Sequence, residues 1–256
     1  MVSKSGVLAR AARLLRALSQ SGPEGATTTE LGLAARLPRP TAHRALEALQ
    51  DEGFVDRDRS NGRWHLGPEL FLLGSSAATR YDLAEYARPH LCALAARTGE
   101  SAFFSARRGD ETVCLTREDG DFPIRSFVLY EGARFPLGVT SAGLAVLAHL
   151  PEREVGTYLE RNDLTRTYGS SHGSEDLIAR IAETRSNGYA TNPGLVVAGS
   201  WGMAAAVFDN RHRPEWALTL TGVESRFTPD RRRELGSLLL RHAHSLSKEL
   251  QSRYRW

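Results

Sequence analysis

The stretch TTELGLAARLPRPTAHRALEALQDEGFVDRDRSNGRWHL, residues 28–66, decides the fold of the N-terminal part of the chain. Its first segment carries apolar residues at helical spacing between positions 31 and 35. Leu37 before Pro38 predicts the end of this helix, because the residue before a proline is disfavoured in the helical region. A second helix is predicted from about Pro40, where the missing N–H costs no hydrogen bond.

The second predicted helix has an apolar face and an opposite face that is free for a partner. The apolar residues follow the i, i+3, i+4, i+7 spacing of a helix and are Ala42, Ala45, Leu46 and Leu49. The opposite face carries Pro40, Arg44 and Glu47, with Thr41, His43 and Ala48 beside it. In a helix-turn-helix, the second helix is the one that enters the major groove of DNA.

A basic hairpin is predicted after this helix. Gly53 ends the helix, and an alternating segment leads to Asn61-Gly62, a dipeptide typical of two-residue hairpin turns. Helix, turn, helix and basic wing together indicate a DNA-binding unit. The residues predicted to contact DNA are Arg39, Thr41, His43 and Arg44 on the helix, and Arg57, Arg59 and Arg63 on the wing. The alternative for each single arginine is a solvated surface charge.

The distribution of charge supports a DNA-binding head. The 256 residues carry a net charge of +3, and residues 1–66 hold ten Lys or Arg against seven Asp or Glu. The remainder has 23 of each sign, so the whole surplus lies in the N-terminal quarter. No stretch approaches the roughly 20 apolar residues that span a bilayer, and no signal peptide is evident. We therefore expect a cytoplasmic protein without membrane contact.

No pattern of catalytic or metal-binding residues is evident. Cys92 and Cys114 lie in apolar patterns and are expected to be buried free thiols. The eight histidines are scattered, Ser141 and Ser200 lack the glycine-flanked context of a nucleophile, and no phosphate-binding loop is present. We expect no catalytic residue, no metal and no cofactor.

The rest of the chain predicts helices around an antiparallel sheet. Helices are predicted over residues 6–20, 67–80, 82–99, 140–150, 152–162, 174–188 (capped by Ser174) and from 228 onward, and strands over 102–107, 112–117, 126–130, 204–209 and 216–222. The fold class is therefore α+β, with helices layered on an antiparallel sheet.

The chain resembles the IclR family of bacterial transcriptional regulators over nearly its whole length. The N-terminal residues that carry the resemblance include Glu30-Leu31, Leu37-Pro38-Arg39-Pro40-Thr41-Ala42-His43-Arg44 and Gly53-Phe54-Val55; the C-terminal ones include Thr98-Gly99-Glu100, Gly132-Ala133-Arg134-Phe135-Pro136-Leu137, Ala142-Gly143 and Gly188-Tyr189-Ala190. The resemblance implies a winged helix-turn-helix domain at 1–66, a linker helix at 67–80 and a GAF/PAS-like effector-binding and oligomerisation domain at 81–256. Three departures from the family pattern are Arg36, where glycine is common, Leu144, where a basic residue is common, and the non-acidic segment from Asn192 to Leu195.

The resemblance implies an effector site where three segments of the second domain converge. Thr140, Ser141 and Ala142 open a helix whose free N–H groups can hold a carboxylate, and Thr219 and Thr221 share one face of a strand. The resemblance assigns Asn192 and Gly202 to ligand-contacting positions, and Trp201 adds aromatic surface. The alternatives are a plain helix cap for Thr140 and a water-facing position for the two threonines; Met203 is expected in the core.

These observations predict a DNA-binding regulator, expected to be a repressor, whose operator binding responds to a small effector. The expected effector is a carboxylate or amide with an apolar or aromatic body. The expected assembly is a dimer or a dimer of dimers on double-stranded DNA with a near-palindromic operator. The alternatives are a constitutive DNA-binding protein whose second domain only oligomerises, and an enzyme fused to a DNA-binding head.

Overall fold

Two units make up the chain, Met1–Tyr81 and Asp82–Trp256, and the computed structural model describes residues 6–81 and 83–253. The N-terminal unit contains α1 (Val7–Ser19), α2 (Thr28–Ala35), α3 (Arg39–Asp51), β1 (Val55–Arg57), β2 (Trp64–Leu66) and α4 (Pro68–Tyr81). The C-terminal unit contains α5 (Leu83–Thr98), β3 (Ser101–Arg108), β4 (Glu111–Glu118), β5 (Arg134–Pro136), α6 (Ser141–Ala148), α7 (Glu152–Arg161), α8 (Thr165–Tyr168), α9 (Ser174–Asn187), β6 (Ala190–Pro193), β7 (Ser200–Phe208), β8 (Pro214–Val223) and α10 (Pro229–Arg253).

The N-terminal unit has the predicted helix-turn-helix with a two-stranded wing. Its core joins α1, α2, α3 and the wing through buried side chains, which include Leu14, Leu31, Leu46, Val55 and Trp64. A capping box starts α2, because Thr27 Oγ1 accepts from the N–H of Glu30 at 3.3 Å and Glu30 Oε2 accepts from the N–H of Thr27 at 2.7 Å. Local hydrogen bonds and a shared core therefore fix the three helices.

The turn between α2 and α3 depends on a left-handed arginine. Arg36 has φ 53° and ψ 50°, and the N–H of Leu37 bonds to the carbonyl of Gly32 at 2.8 Å. A residue with a Cβ in this conformation costs roughly 1–2 kcal/mol. The turn therefore keeps its helix-ending geometry with arginine, and not glycine, in the left-handed position.

The wing is a hairpin, as predicted, but its turn is longer than two residues. β1 and β2 pair from Val55 with Leu66 to Arg57 with Trp64, so residues 58–63 form the loop. The carboxylate of Asp58 accepts bonds from Ser60 and Asn61, and only Gly62 of the predicted dipeptide has positive φ, at 71°. The prediction of a two-residue turn was wrong, because the asparagine bonds to Asp58 and does not adopt the left-handed conformation that such a turn requires.

The C-terminal unit contains a six-stranded antiparallel sheet in the order β5-β4-β3-β8-β7-β6. One face packs against α5 and α10 through residues such as Phe104, Met203 and Leu220. The other face packs against α6 and α9 and presents small residues such as Ala204 and Ala217. The central strands are therefore buried on both sides. The predicted antiparallel sheet flanked by helices is confirmed.

Four expectations about the second unit were wrong. The segment predicted as a strand at 126–130 is a loop, in which Leu129 is buried and Phe127 is 80% exposed. Sequence patterns missed the short strands β5 and β6. Cys92 is exposed, whereas Cys114 is buried as expected. Gly173, and not Ser174, is the N-cap of α9.

Candidate functional site

Helix α3 presents the predicted DNA-contacting side chains on its exposed side. Ala42 and Leu46 are fully buried, and Arg44 lies on the opposite face, where it is exposed. Arg39 is exposed at the first turn, and Thr41 is half-buried. Arg44 Nε bonds only to the carbonyl of Pro40 on its own helix, at 3.4 Å, among the contacts the described residues make. Its guanidinium therefore retains donors for a base edge or a phosphate.

His43 lies on the flank of α3 that faces the wing. Its Nδ1 is 3.0 Å from Glu47 Oε2, and its ring meets Trp64 edge-on, with centroids 6.5 Å apart. Arg57 packs over the same indole, with Cζ 5.4 Å from the ring centroid. Trp64 therefore joins α3 to the wing. The sequence analysis did not predict this role for Trp64.

The three wing arginines differ in how they are held. Arg59 is exposed at the loop, and Arg57 Nε bonds to the carbonyl of Gly62 at 3.3 Å. Arg63 is half-buried, because its Nε donates to the carbonyl of Glu24 at 3.1 Å and its Nη1 lies 3.7 Å from Glu30 Oε2. Arg63 thus ties the wing to the α1–α2 connection, whereas Arg59 is available to a partner.

In the C-terminal unit, six of the eight predicted effector residues border one small cavity. They are Thr140, Ser141, Asn192, Trp201, Gly202 and Thr221, joined by Val128, Leu129, Val196 and Ser200. The cavity has a volume of about 20 Å³, which is room for one water molecule. The remaining two residues, Ala142 and Thr219, are buried in the core and do not border the cavity.

The polar end of the cavity is the start of α6. Thr140 Oγ1 caps this helix by accepting from the N–H of Gly143 at 3.4 Å, so the plain cap role holds for this residue. Thr219 and Thr221 do not face water: they are 0% and 5% exposed, and among the described residues neither hydroxyl has a hydrogen-bond partner. The unpartnered Thr221 hydroxyl borders the cavity, where a polar ligand atom could satisfy it.

Asn192 holds the wall of the cavity through both ends of its amide. Its Nδ2 donates to the carbonyl of Val139 at 2.7 Å, and its Oδ1 accepts from the N–H of Leu195 at 3.0 Å. The carbonyl of Val139 also lies 3.5 Å from Nε2 of the buried His172. Burial lowers the pKa of His172 below its usual range, and the charge of Arg180 lowers it further.

Trp201 borders the cavity, but its indole makes its ring contacts with other residues. The indole of Trp201 stacks on Phe227 with centroids 6.0 Å apart, and Arg232 Cζ is 4.8 Å from its centroid. This packing belongs to the sheet face that α5 and α10 cover. The apolar rim comes instead from residues that sequence reasoning missed, Val128 and Leu129, whose loop is joined to the β7 strand by a 2.6 Å contact between Ser126 Oγ and Ser200 Oγ.

Within residues 6–81 and 83–253, no group of three His, Cys, Asp or Glu residues is arranged to hold a metal ion. In the same part of the chain, no helix is long and apolar enough to cross a membrane.

Comparison with known proteins finds matches over both units. The family described as "IclR helix-turn-helix domain" matches residues 7–59, and "Bacterial transcriptional regulator IclR C-terminal" matches residues 75–248. The chain is 29% identical over 243 residues to the transcriptional repressor IclR of Escherichia coli (strain K12), a match that covers 94% of this chain and 88% of the relative.

Solved structures share the fold of the whole chain. The crystal structure of Thermotoga maritima IclR is 25% identical with a TM-score of 0.72, and the match covers 95% of this chain and 98% of that one. An IclR homolog from Microbacterium hydrocarbonoxydans, solved in complex with 4-hydroxybenzoate, is 23% identical with a TM-score of 0.76 over 96% of this chain and 100% of that one.

Proposed function

The chain belongs to the IclR family and is a DNA-binding transcriptional regulator, and from this premise we propose which residues contact DNA and which receive an effector. Arg39, Thr41 and Arg44 contact base edges in the major groove, and His43 contributes from the flank of α3. Arg57 and Arg59 contact phosphates or the minor groove. The observation that carries this proposal is the position of Arg44 opposite the buried face of α3.

The test of the DNA-binding surface uses an operator selected from randomised duplexes. Arg44→Ala is expected to weaken operator binding by roughly 1–3 kcal/mol, because a bidentate contact of arginine with guanine is lost. Arg16→Ala, on the exposed side of α1, removes the same charge from the same unit and serves as the control. If the two variants lose the same affinity, or if Arg44→Ala weakens unrelated DNA equally, Arg44 does not read a base.

The effector is proposed to be a small carboxylate or amide with an apolar or aromatic body. The free N–H groups at the start of α6 and the unpartnered hydroxyl of Thr221 suit a carboxylate or amide, and Val128, Leu129 and Val196 suit an apolar body. The Microbacterium protein of the same fold was solved with an aromatic acid. Because the cavity holds only about one water molecule, such a ligand must displace the surrounding loops as it enters.

Calorimetric titration of the full chain with 4-hydroxybenzoate, benzamide, pyruvate and glyoxylate tests the ligand class. Gly202→Ala is expected to abolish binding at the cavity beside Thr221, because the added Cβ would lie 2.9 Å from Ser141 Oγ. Gly156→Ala is the matched control, since its Cβ would meet nothing within 4 Å. Binding of the short keto acids without any binding of the aromatic probes would refute the proposed effector class.

We further propose that the protein is a cytoplasmic repressor that assembles as a dimer or a dimer of dimers on a near-palindromic operator. Large apolar side chains exposed on α1 and α4 support pairing through these helices: Val7, Leu8, Phe71, Leu72 and Leu73. Light scattering of the free protein and gel shifts on one or two half-sites test this assembly. A monomer that binds a single half-site as tightly as the complete operator would contradict it.

The same measurements separate the alternative functions. An effector must favour one state of the DNA-binding units over another, since a ligand that binds both equally changes nothing. Operator affinity that no ligand changes would favour a constitutive regulator. Chemical turnover of a bound ligand would favour an enzyme joined to a DNA-binding head. We assign residues 1–66, 67–80 and 81–256 to DNA binding, linkage and effector binding, respectively.

A further inference from the structure

A second and larger cleft lies in the C-terminal unit. It has a volume of about 350 Å³ and is bounded by the end of α6, the end of α9, the second half of β7 and the middle of α10. It shares no lining residue with the cavity beside Thr221. A ligand in this cleft would therefore make none of the contacts proposed for the effector.

Basic and imidazole side chains converge on this cleft without a carboxylate. His149, His212, His244 and Lys248 line it, together with Ser247 and Gln251, and no Asp or Glu is among the lining residues. The carboxylate of Asp209, next to the lining residue Phe208, is bound by the N–H groups of Arg211 and Arg213. The lining side chains therefore supply the positive charge of Lys248 and imidazole N–H donors. An anion would therefore be stabilised there.

The ring of His149 is fixed so that one nitrogen remains for a ligand. Its Nδ1 lies 2.9 Å from the carbonyl of Ala145, and because a carbonyl only accepts, Nδ1 must carry the hydrogen. The ring also meets Phe208 edge-on, with centroids 5.3 Å apart. Nε2 is thus held in a defined orientation, as an acceptor in the neutral ring and as a donor in the charged one.

His212 reaches the cleft from a strained turn. Its φ of 58° is one of two positive φ values among the described residues that are not glycine. The turn is held by Asp209 Oδ1, which accepts from the N–H groups of Arg211 and Arg213 at 2.8 and 2.7 Å. A left-handed conformation at a residue with a Cβ costs free energy, and such strain is concentrated at functional sites.

The cleft also has apolar lining residues. Phe208, Leu240, Ala206 and Ala243 line it, and Leu240 is 36% exposed. Helix α10 packs against β7. The N–H of Phe208 donates to Ser247 Oγ at 3.0 Å, and Gln251 Nε2 donates to the carbonyl of Asp209 at 2.9 Å.

We propose that this cleft is a second ligand site, which binds an organic oxyanion with an apolar body. The oxyanion, a carboxylate or a phosphate monoester, lies between Lys248 and the imidazoles of His244 and His149. The apolar body packs against Phe208 and Leu240. This site is independent of the effector cavity, and either could exist without the other.

Calorimetric titration of the full chain with phenyl phosphate and with benzoate tests the proposal and distinguishes the two oxyanions, and phenol serves as the neutral control. Lys248→Gln and His244→Gln are each expected to weaken binding of the preferred probe about tenfold or more, since the first removes the positive charge and the second the imidazole N–H that bind the oxyanion. Both side chains are exposed, so the folded structure is retained. Nuclear magnetic resonance spectra of the histidine rings should show shifts of His149 and His244 on addition of the probe.

Two further variants separate this site from the effector cavity and from general charge effects. Gly202→Ala, which fills the effector cavity, should leave binding at the second site unchanged. Arg241→Gln removes a positive charge from an exposed position of α10 outside the cleft and should also leave it unchanged. The proposal is refuted if neither oxyanion binds at millimolar concentration, if phenol binds equally well, or if Lys248→Gln and Arg241→Gln have the same effect.

Discussion

Trp64 Nε1 donates a hydrogen bond to Thr28 Oγ1 at 2.9 Å, and both side chains are buried although 36 residues separate them. The N–H of Trp64 also donates to the carbonyl of Ala26 at 2.8 Å, and the N–H of Ala26 donates to the carbonyl of Trp64 at 3.1 Å. The wing is therefore attached to the start of α2 by side chain and backbone together. Since Trp64 also contacts His43 and Arg57, this attachment positions part of the proposed DNA-binding surface.

Thr28→Val is expected to lower the unfolding free energy of the N-terminal unit by about 1–3 kcal/mol, because the indole N–H is left buried without an acceptor. Thr29→Val changes a neighbouring exposed threonine in the same way and should have little effect. Urea denaturation of the two variants, followed by tryptophan fluorescence, provides the measurement. Equal stability of both variants would show that the buried bond contributes nothing.

Arg59→Ala and Arg63→Ala should affect different properties. Arg59 is exposed, so its removal should leave the melting temperature unchanged. It should lower the slope of log affinity for DNA against log salt concentration by about one, because one fewer counterion is released on binding. Arg63 donates to the carbonyl of Glu24, so its removal should lower the melting temperature as well. Gel shifts over a range of salt concentrations and thermal melts give both quantities. A stable Arg63→Ala variant with a reduced salt slope would mean that this arginine contacts phosphate.

Arg36→Gly should raise the unfolding free energy by about 1 kcal/mol, because glycine adopts the observed left-handed conformation without steric cost. Ala34→Gly, at an exposed position within α2, should lower the unfolding free energy by about 1 kcal/mol. Denaturation midpoints of the two variants should therefore move in opposite directions. A loss of stability in both would indicate that the arginine side chain stabilises the turn.

The stability of the C-terminal unit should fall as the pH is lowered from 8 to 5. Burial lowers the pKa of His172, and burial together with the neighbouring His90 lowers that of His242. Below about pH 6.5 the two histidines bind protons more readily in the unfolded chain than in the folded one. The free energy of unfolding is therefore highest above about pH 6.5 and falls as the pH approaches the lower pKa values of the folded chain. His172→Gln should reduce this slope. An unchanged slope in His172→Gln would exclude His172 as a source.

The sequence by itself determined the helices and strands that depend on residue patterns over a few neighbouring positions. Helical spacing, Pro38 and Gly53 predicted α2 and α3, alternation predicted β1, β2, β7 and β8, and Thr140 was correctly assigned as a helix cap. The family also followed from sequence, because its residues recur in order along the whole chain. These features depend on neighbours within a few positions, and such patterns can be read without knowing how the elements pack.

Only the tertiary structure decided which side chains meet. Both faces of the central strands are buried, so alternation could not show that Thr221 borders a cavity or that the Trp201 ring packs on the opposite face. Residues 127–130 form an apolar run like that of a buried strand, but they lie in a loop in which Leu129 is buried. The Trp64–Thr28 bond and the cleft with three histidines join residues far apart in sequence. Such contacts follow from packing of whole layers, which no local pattern encodes.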